Sequence, residues 1–226
     1  VVIGTIQSVS KMGKSFLEQF DMVIIDECHY LNKEDSQYYK TLIKILAPLR
    51  FGFTATLPST KEGKLVLEGL VGPVIGTPDI KKEIADGVLA KPFLKLIVVP
   101  KKMIEEKKYQ DIYDICIVDN IQRNILIRDE AIALAKEGKT TLIYVSKITH
   151  IENLFALLKD KVKVKIVYGI TEGQDRELLR KELQQKEVQV VIASVVWKEG
   201  INIPSLNAII MGGGGKAEIS VLQTIG

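Results

Sequence analysis

Short apolar runs alternate with amphipathic stretches along most of the chain, and this alternation constrains the fold more than any other feature. The runs are rich in strand formers and apolar at consecutive positions, which is typical of strands buried on both faces of a parallel sheet. The stretches between them place apolar residues at helical spacing, with charges opposite. This order predicts an α/β fold with parallel sheets and helices on both faces. Strands are expected in VVIGTI, MVIID, LRFGFTAT, LKLIVV, TTLIYV, VKIVYG, QVVIAS and NAIIMG, and helices in SQYYKTLIKILAP, NILIRDEAIALAKEGK, HIENLFALLKDK and DRELLRKELQQK.

The alternation is interrupted once, in the stretch GVLAKPFLKLIVVPKKMIEEKKYQD, which contains two prolines and a cluster of lysine and glutamate. This interruption predicts a domain boundary near Lys91, with a first domain over residues 1–92 and a second over residues 93–226. The sequence has no initiator methionine and opens on residues typical of a strand interior, so we expect it to begin inside a longer protein.

Charge balance, cysteine usage and the length of the apolar runs limit the partners and the compartment that can be expected for this chain. The 31 Lys and Arg residues nearly balance 28 Asp and Glu, so the net charge of +3 does not itself indicate a nucleic-acid binder, and any basic surface must be local. Cys28 and Cys116 offer neither a disulfide framework nor a metal-ligand spacing, which favours a reducing compartment, and we predict a cytoplasmic protein. No apolar run approaches the ~18 residues of a membrane span, so no membrane partner is expected.

The segment VIIDECHYL places Asp26, Glu27, Cys28 and His29 directly after a predicted strand. Polar groups at the carboxyl end of a parallel strand emerge into the crevice where α/β proteins bind ligands. One carboxylate there can hold Mg²⁺ through water, which suits Asp26, while its neighbour can act on the water that attacks a γ-phosphate, which suits Glu27. Taken alone, the four residues are equally compatible with an acidic turn at the edge of a sheet.

Further along, FGFTATLP ends another predicted strand with Thr54, Ala55 and Thr56. A Thr-Ala-Thr turn by itself is more often a cap or a turn element. In this order, however, the two segments resemble motifs II and III of the superfamily 2 helicases, and within that family the chain is most similar to the DECH-box group of the UvsW and XPB types. The resemblance implies two RecA-like lobes, of which the first is incomplete here.

The resemblance also implies roles for the matched residues. ATP and Mg²⁺ would bind between the lobes, with Asp26 on the metal and Glu27 on the water, while His29 and the Thr-Ala-Thr residues would transmit the nucleotide state. VVIGTIQSV is similar to the segment before the DECH box, and TTLIYVSKITHIENL, VQVVIASVVWKEGINIPSLNAII and SVLQTIG resemble motif IV, motif V and the start of motif VI. The matches imply nucleic-acid contacts at Thr5, Gln7, Ser146 and Ser194, and nucleotide contacts at Glu199, Gly200, Asn202, Gln223 and Gly226.

For several of these residues, a purely structural role remains an open alternative. For Thr5 and Ser146, a simple strand-end hydroxyl is an equally good interpretation. Motif V, taken alone, is also compatible with a buried strand and a loop. We interpret His150, at the head of a helical stretch, as a capping or surface residue, and residues 212–215 as a flexible connection between a strand and a helix.

The sequence departs from the family pattern in three respects. No segment matches the P-loop, because MGKS at residues 12–15 lacks the glycine required five positions before Gly13. The arginines of motif VI would follow Gly226, and Asn202 stands where many relatives have Asp. We therefore expect no ATP hydrolysis from these 226 residues by themselves.

The resemblance predicts an ATP-dependent helicase or translocase that acts on single-stranded or branched nucleic acid, with DNA favoured. Two alternatives stay open. One is a motor subunit of a restriction or remodelling complex that moves on duplex without unwinding it. The other is a degenerate scaffold that binds nucleic acid without catalysis. The sequence does not indicate an oligomeric state.

Overall fold

The computed structural model describes residues 1–100, 104, 108–168, 173–194 and 205–214, with the side chains of residues 173–177 and 180 left out. By its internal contacts the chain divides into two compact units, the first over Val1–Phe93 and the second over the described residues from Leu94 onward. Each unit contains a parallel sheet with its own core.

The first unit is built around two parallel strands, β1 (Met22–Ile25) and β2 (Leu49–Gly52), in which Met22 pairs with Leu49 and Ile25 with Gly52. A core cluster centred on the fully buried Leu31 packs beside them. Side-chain oxygens of Thr5, Ser36, Thr60 and Asp79 cap the helices that follow them. The helices are α1 (Ile6–Val9), α2 (Lys14–Leu17), α3 (Gln37–Leu42), α4 (Lys61–Val71) and α5 (Ile80–Ala85), with a 3₁₀ turn at Cys28–Tyr30.

The second unit contains a four-stranded sheet in the order β4-β5-β3-β6, and every neighbouring pair in it is parallel. Its strands are β3 (Thr140–Tyr144), β4 (Val164–Val167), β5 (Val190–Ala193) and β6 (Leu206–Met211). Its helices are α6 (Tyr109–Tyr113), continued by a π-helical turn at Asp114–Val118, then α7 (Ile121–Lys136), α8 (Ile148–Leu158) and α9 (Gly173–Gln184).

Two apolar clusters cover the two faces of this sheet. On one face, Ile143 of β3 and Ile192 of β5 pack with Leu154 of α8 and with residues of α7. On the other face, Val191 of β5 packs with Leu183 of α9. Because successive residues of a strand point to opposite faces, a strand covered on both sides is expected to be apolar throughout, as β5 is. The predicted α/β fold with parallel sheets and helices on both faces is confirmed.

Two of the predicted strands are wrong. Residues 1–5 have no regular structure, and the chain enters a helix at Ile6 because the Thr5 side chain caps it. Residues 94–99 form no strand either, and Leu96 is 83% exposed. β-branched composition favours a strand but cannot supply the neighbour that a strand needs for its backbone hydrogen bonds. Helices α1, α2, α4, α5 and α6 were not predicted from the sequence. Within the described residues, no helix is long and apolar enough to cross a membrane.

Candidate functional site

The two carboxylates of the DECH segment are separated by a sharp backbone turn at the end of β1. Asp26 is exposed, and its Oδ1 accepts a hydrogen bond from the Glu27 N–H at 2.9 Å. Glu27 has φ 49° and ψ 44°, a left-handed conformation that a residue with a Cβ rarely adopts. The turn sends the following 3₁₀ segment into the core while Asp26 stays at the surface. Backbone strain of this kind is commonly found at functional sites.

Cys28 anchors the turn in the core. Its backbone N–H donates to the Phe53 carbonyl at 2.9 Å, and the Phe53 N–H donates to the Ile25 carbonyl at 2.8 Å, so the parallel pairing of β1 and β2 continues into the turn. Burial raises the pKa of the Cys28 thiol, and the nearby carboxylates of Glu27 and Asp26 raise it further. Cys28 is therefore a protonated packing residue rather than a nucleophile.

Gly52, the last residue of β2, allows this close approach. A Cβ placed on Gly52 would lie 2.8 Å from Sγ and 3.0 Å from Cβ of Cys28. Only a residue without a side chain lets the end of β2 lie against the DECH turn.

His29 joins the DECH turn to the Thr-Ala-Thr segment that follows β2. The imidazole is buried, with its Nδ1 2.9 Å from Thr54 Oγ1 and 3.2 Å from Glu27 Oε2. Thr54 in turn holds its own segment, since its hydroxyl donates to the Thr56 carbonyl at 2.8 Å and accepts from the Thr56 N–H at 3.2 Å. A displacement of Glu27 would therefore be transmitted to Thr54 through the His29 imidazole.

Two oxygens at this site are buried without a hydrogen-bond partner among the described residues, namely Glu27 Oε2 and Thr56 Oγ1. Glu27 Oε2 lies 3.2 Å from His29 Nδ1, but the Nδ1 proton is directed to Thr54 Oγ1, which is closer at 2.9 Å. Unsatisfied buried polar atoms are uncommon in proteins and often mark a position where a water or a ligand binds. Glu27 Oε2 thus lies beside the His29 ring but has no hydrogen bond among the described residues.

Ser146 and Ser194 lie at the same edge of the sheet in the second unit. Ser146 is exposed and follows β3, while Ser194 is half-buried and follows β5. β3 and β5 are parallel neighbours, and the Val145 N–H donates to the Ala193 carbonyl at 3.0 Å, so both serines emerge where these strands end.

Comparison with known proteins assigns both parts of the chain. Residues 1–59 match the family described as type III restriction enzyme, res subunit, and residues 121–226 match the helicase conserved C-terminal domain. The ATP-dependent DNA helicase UvsW of Enterobacteria phage T4 is 27% identical over 239 residues, covering 100% of this chain and 46% of UvsW. The DNA 3'-5' translocase XPB2 of Sulfurisphaera tokodaii is 26% identical over 266 residues, covering 100% of this chain and 59% of XPB2.

These matches are consistent with a fragment of a superfamily 2 helicase. The chain spans about half the length of these two curated relatives. Among solved structures, the Mycobacterium smegmatis helicase Lhr bound to ssDNA and AMP-PNP matches with a TM-score of 0.58 and 17% identity, over 96% of this chain and 28% of that one. At this identity the likeness concerns the fold alone, which is that of RecA-like helicase lobes, as predicted.

The DECH residues fit Mg²⁺ as helicases of this kind would use it. Within the described residues, no group of three or more His, Cys, Asp and Glu side chains could hold a metal ion by itself. Mg²⁺ bound with a nucleotide takes one or two carboxylates and completes its shell with phosphates and water. The exposed Asp26 and the unpaired oxygen of Glu27 fit that limited contribution from the protein.

The structure describes only some of the other predicted site residues. The Thr5 hydroxyl is used in its own cap, accepting from the Ser8 N–H at 3.3 Å and donating to Ser8 Oγ at 3.1 Å, whereas Gln7 is exposed on α1. Ala55 is exposed beside Thr54. The predicted nucleotide-binding residues Glu199, Gly200, Asn202, Gln223 and Gly226 lie outside the described residues.

The structure corrects two interpretations of the sequence. His150 is neither a cap nor a surface residue, because its ring is completely buried and its Nε2 lies 2.9 Å from Asn124 Oδ1. Its spacing with Ile151, Leu154 and Leu158, all buried on α8, was the signal that placed it on the inner face. The predicted flexible connection is also wrong for residues 212–214, which are held by hydrogen bonds from Arg123 and to Tyr113. Sequence reasoning identified neither of these two side chains.

Proposed function

We propose that this chain is the part of an ATP-dependent DNA helicase or translocase that carries the water-activating residues, with residues 1–92 and 93–226 contributing to its first and second RecA-like lobes. The strained turn at Glu27, which leaves one buried carboxylate oxygen without a hydrogen bond, is the observation that carries the proposal. An acidic turn without a function would have no reason to keep that oxygen buried and without a hydrogen bond. DNA is favoured because UvsW is named a DNA helicase and XPB2 a DNA translocase.

The proposed roles follow from where each carboxylate lies. Asp26, which is exposed, holds Mg²⁺ through water, and Glu27 orients the attacking water and takes its proton. Mg²⁺, when bound, supplies positive charge to the phosphate oxygens. Glu27 Oε2 lies 3.2 Å from the His29 ring, and the hydrogen bonds from His29 to Thr54 and from Thr54 to Thr56 carry its position onward.

Nucleic-acid contacts are proposed at Ser146 and Ser194, whose positions at neighbouring strand ends support a shared backbone track. Gln7 is proposed as a further contact because its amide is exposed. The Thr5 hydroxyl is already engaged in its cap, which supports a structural role for that residue. The proposed subtype is the DECH-box group of the UvsW and XPB types.

The test uses a longer protein that contains this chain together with a P-loop and a complete motif VI, which we call the parent helicase. Glu27→Gln keeps the size of the side chain but removes the base, so we expect ATP affinity to be nearly intact and turnover to fall by ~10²–10⁴-fold. Asp26→Asn should weaken Mg²⁺-dependent ATP binding as well as turnover, because that carboxylate is assigned to the metal. The exposed Glu34 provides the matched control, Glu34→Gln, which should change neither quantity.

If Glu27→Gln hydrolyses ATP within a few-fold of the rate of the unmodified parent helicase, Glu27 is not the catalytic base. The DECH cluster is then only an acidic turn at the end of a strand. If the unmodified protein binds DNA but hydrolyses no ATP under any condition, the scaffold alternative is correct. The 226-residue chain by itself is expected to hydrolyse nothing.

A second candidate function is translocation on duplex DNA without strand separation. It is favoured by the match of residues 1–59 to a restriction-enzyme subunit and by the name of XPB2 as a translocase. Displacement of a triplex-forming strand from intact duplex, without release of the duplex strands, would identify this activity in the parent helicase.

A further inference from the structure

Residues 212–214, three consecutive glycines directly after β6, form a turn that we call the glycine turn. It begins against β3, since the N–H groups of Gly212 and Gly213 both donate to the Tyr144 carbonyl, at 2.8 Å and 3.0 Å. The turn leaves little room for side chains. A Cβ on Gly212 would lie 3.0 Å from Val145 Cγ1, and one on Gly214 would lie 3.2 Å from Tyr113 Cε2.

Arg123, at the start of α7, holds the carbonyl side of the glycine turn. Its Nη2 donates to the Gly212 carbonyl at 3.0 Å and to the Gly213 carbonyl at 3.1 Å. Among the described residues, no carboxylate pairs with Arg123, and burial lowers the pKa of its guanidinium. Hydrogen bonds from a charged donor are stronger than neutral ones, so this contact fixes the turn more firmly than ordinary packing would.

Tyr113, at the end of α6, holds the amide side of the same turn. Its hydroxyl accepts from the Gly214 N–H at 3.0 Å, and its ring is almost completely buried. The ring is itself held from outside by Lys147, whose Nζ lies 5.6 Å from the ring centroid and pairs with Asp114. Arg123 and Tyr113 thus hydrogen-bond to the glycine turn from two different helices.

Ser146 contacts the glycine turn from a third side. A Cβ on Gly213 would lie only 3.1 Å from Ser146 Oγ. The side chain proposed to contact a nucleic-acid backbone therefore lies directly against the turn that leads into SVLQTIG, the segment whose sequence resembles motif VI.

We propose that Arg123 and Tyr113 are positioning residues that hold the glycine turn against Ser146, so that nucleic acid bound at Ser146 acts on the nucleotide contacts of the segment after the turn. This inference rests on the proposed function and deepens it, because it names a route by which nucleic acid stimulates ATP hydrolysis. The route does not pass through His29 or the Thr-Ala-Thr segment, which belong to the first unit.

The experiment compares ATP turnover by the parent helicase with and without a single-stranded oligodeoxythymidylate. Loss of the charged hydrogen bonds in Arg123→Met should lower the stimulated kcat about tenfold, while the basal kcat, the KM for ATP and the affinity for the oligonucleotide change less than about two-fold. Arg123→Lys should recover part of the stimulation, because an ammonium can reach one carbonyl. Arg128→Met, on the same helix, is the matched control and should behave as the unmodified protein.

Tyr113→Phe tests the amide side with the smallest possible change, because it removes only the hydroxyl that accepts from Gly214. Stimulated turnover should fall a few-fold, by about the value of one neutral hydrogen bond, with no loss of oligonucleotide affinity. This variant keeps the inference testable if Arg123→Met does not fold.

Equal losses of basal and stimulated turnover in the variants that fold, or no loss in either, would overturn the inference. The failures of the two proposals can be told apart. An unmodified parent helicase without any ATP hydrolysis contradicts the proposed function. An unmodified protein whose stimulation survives in both Arg123→Met and Tyr113→Phe contradicts only the route through the glycine turn.

Discussion

The Nδ1 atom of His29 donates its proton to Oγ1 of Thr54 across a distance of 2.9 Å. The direction follows from the threonine, whose hydroxyl has a single proton and gives it to the Thr56 carbonyl at 2.8 Å. The Thr54 oxygen can therefore only accept from the ring. This fixes the tautomer of His29 and leaves Glu27 Oε2, 3.2 Å from the same nitrogen, without the proton it would otherwise share.

The first prediction concerns this hydrogen bond. Thr54→Val keeps the shape of the side chain but removes both the acceptor for His29 and the donor to Thr56. In the parent helicase we expect ATP turnover to stay within a few-fold, because the Asp26 and Glu27 carboxylates are intact, while strand displacement per ATP hydrolysed falls strongly. Turnover and displacement measured on the same preparations give this ratio.

Thr54→Ser is the control, since it retains the hydroxyl and both of its hydrogen bonds. Displacement by Thr54→Val as efficient as that of Thr54→Ser would mean that His29 and Thr54 stabilise the fold without transmitting anything.

The second prediction concerns the contact between Gly52 and Cys28. In Gly52→Ala, the new methyl group would meet Sγ at 2.8 Å, Cβ at 3.0 Å and Val71 Cγ2 at 3.3 Å. Overpacking of this kind costs about 1–3 kcal/mol, so the free energy of unfolding of the chain in urea should fall by that amount. Gly69 in α4 has open space around its position, and Gly69→Ala should instead raise stability by ~0.5–1 kcal/mol.

The opposite signs of these two changes separate a steric clash from a general effect of alanine. Adding Cys28→Ala to Gly52→Ala removes the nearest atom and should recover part of the loss. A Gly52→Ala chain as stable as the original would contradict the close approach of β2 to the DECH turn.

From α7 onward, the order of the described strands and helices could be predicted from local pattern, because strands such as QVVIAS and helices such as HIENLFALLKDK bury residues whose spacing matches their own period. The pairing of a strand could not be predicted, because it depends on a neighbour elsewhere in the chain, and both VVIGTI and LKLIVV were misassigned for that reason. The DECH and Thr-Ala-Thr residues could be identified from the sequence because they place polar side chains directly after predicted strands. Arg123 could not, since its partners lie 89 and 90 positions away and no local pattern connects them.

The third prediction concerns pH. Burial first, and the charge of Arg123 second, lower the pKa of His150 from its ordinary 6.5 to about 4. Asn124 donates to the Val118 carbonyl at 2.8 Å, so its Oδ1 accepts from His150 Nε2 and the ring is held neutral. Below pH 6.5 the unfolded chain binds a proton that the folded chain does not, and stability is therefore lost as pH falls toward 4.

The interval from 6.5 to about 4 corresponds to about 3 kcal/mol of unfolding free energy. Urea unfolding at a series of pH values between 7 and 4, with the original chain and His150→Gln side by side, isolates this contribution because the carboxylates are common to both. We expect the variant to lose about 3 kcal/mol less over this range. Parallel pH profiles would show that His150 takes up its proton in the folded state.

The last prediction concerns the serines at the ends of β3 and β5. If Ser146 and Ser194 bind phosphate oxygens, the double change to alanine should weaken single-stranded DNA binding by the parent helicase about equally for every base composition, because backbone contacts carry no sequence information. Serine is neutral and displaces no counterion, so the slope of log affinity against log salt should stay the same while the affinity falls. Titrations of homopolymer oligonucleotides at several salt concentrations measure both quantities, with Ser59→Ala, an exposed serine of the first unit, as the control. If affinity falls for only one homopolymer, the serines contact bases instead of the backbone. If affinity is unchanged for all of them, the two serines are simple strand-end hydroxyls without a nucleic-acid contact.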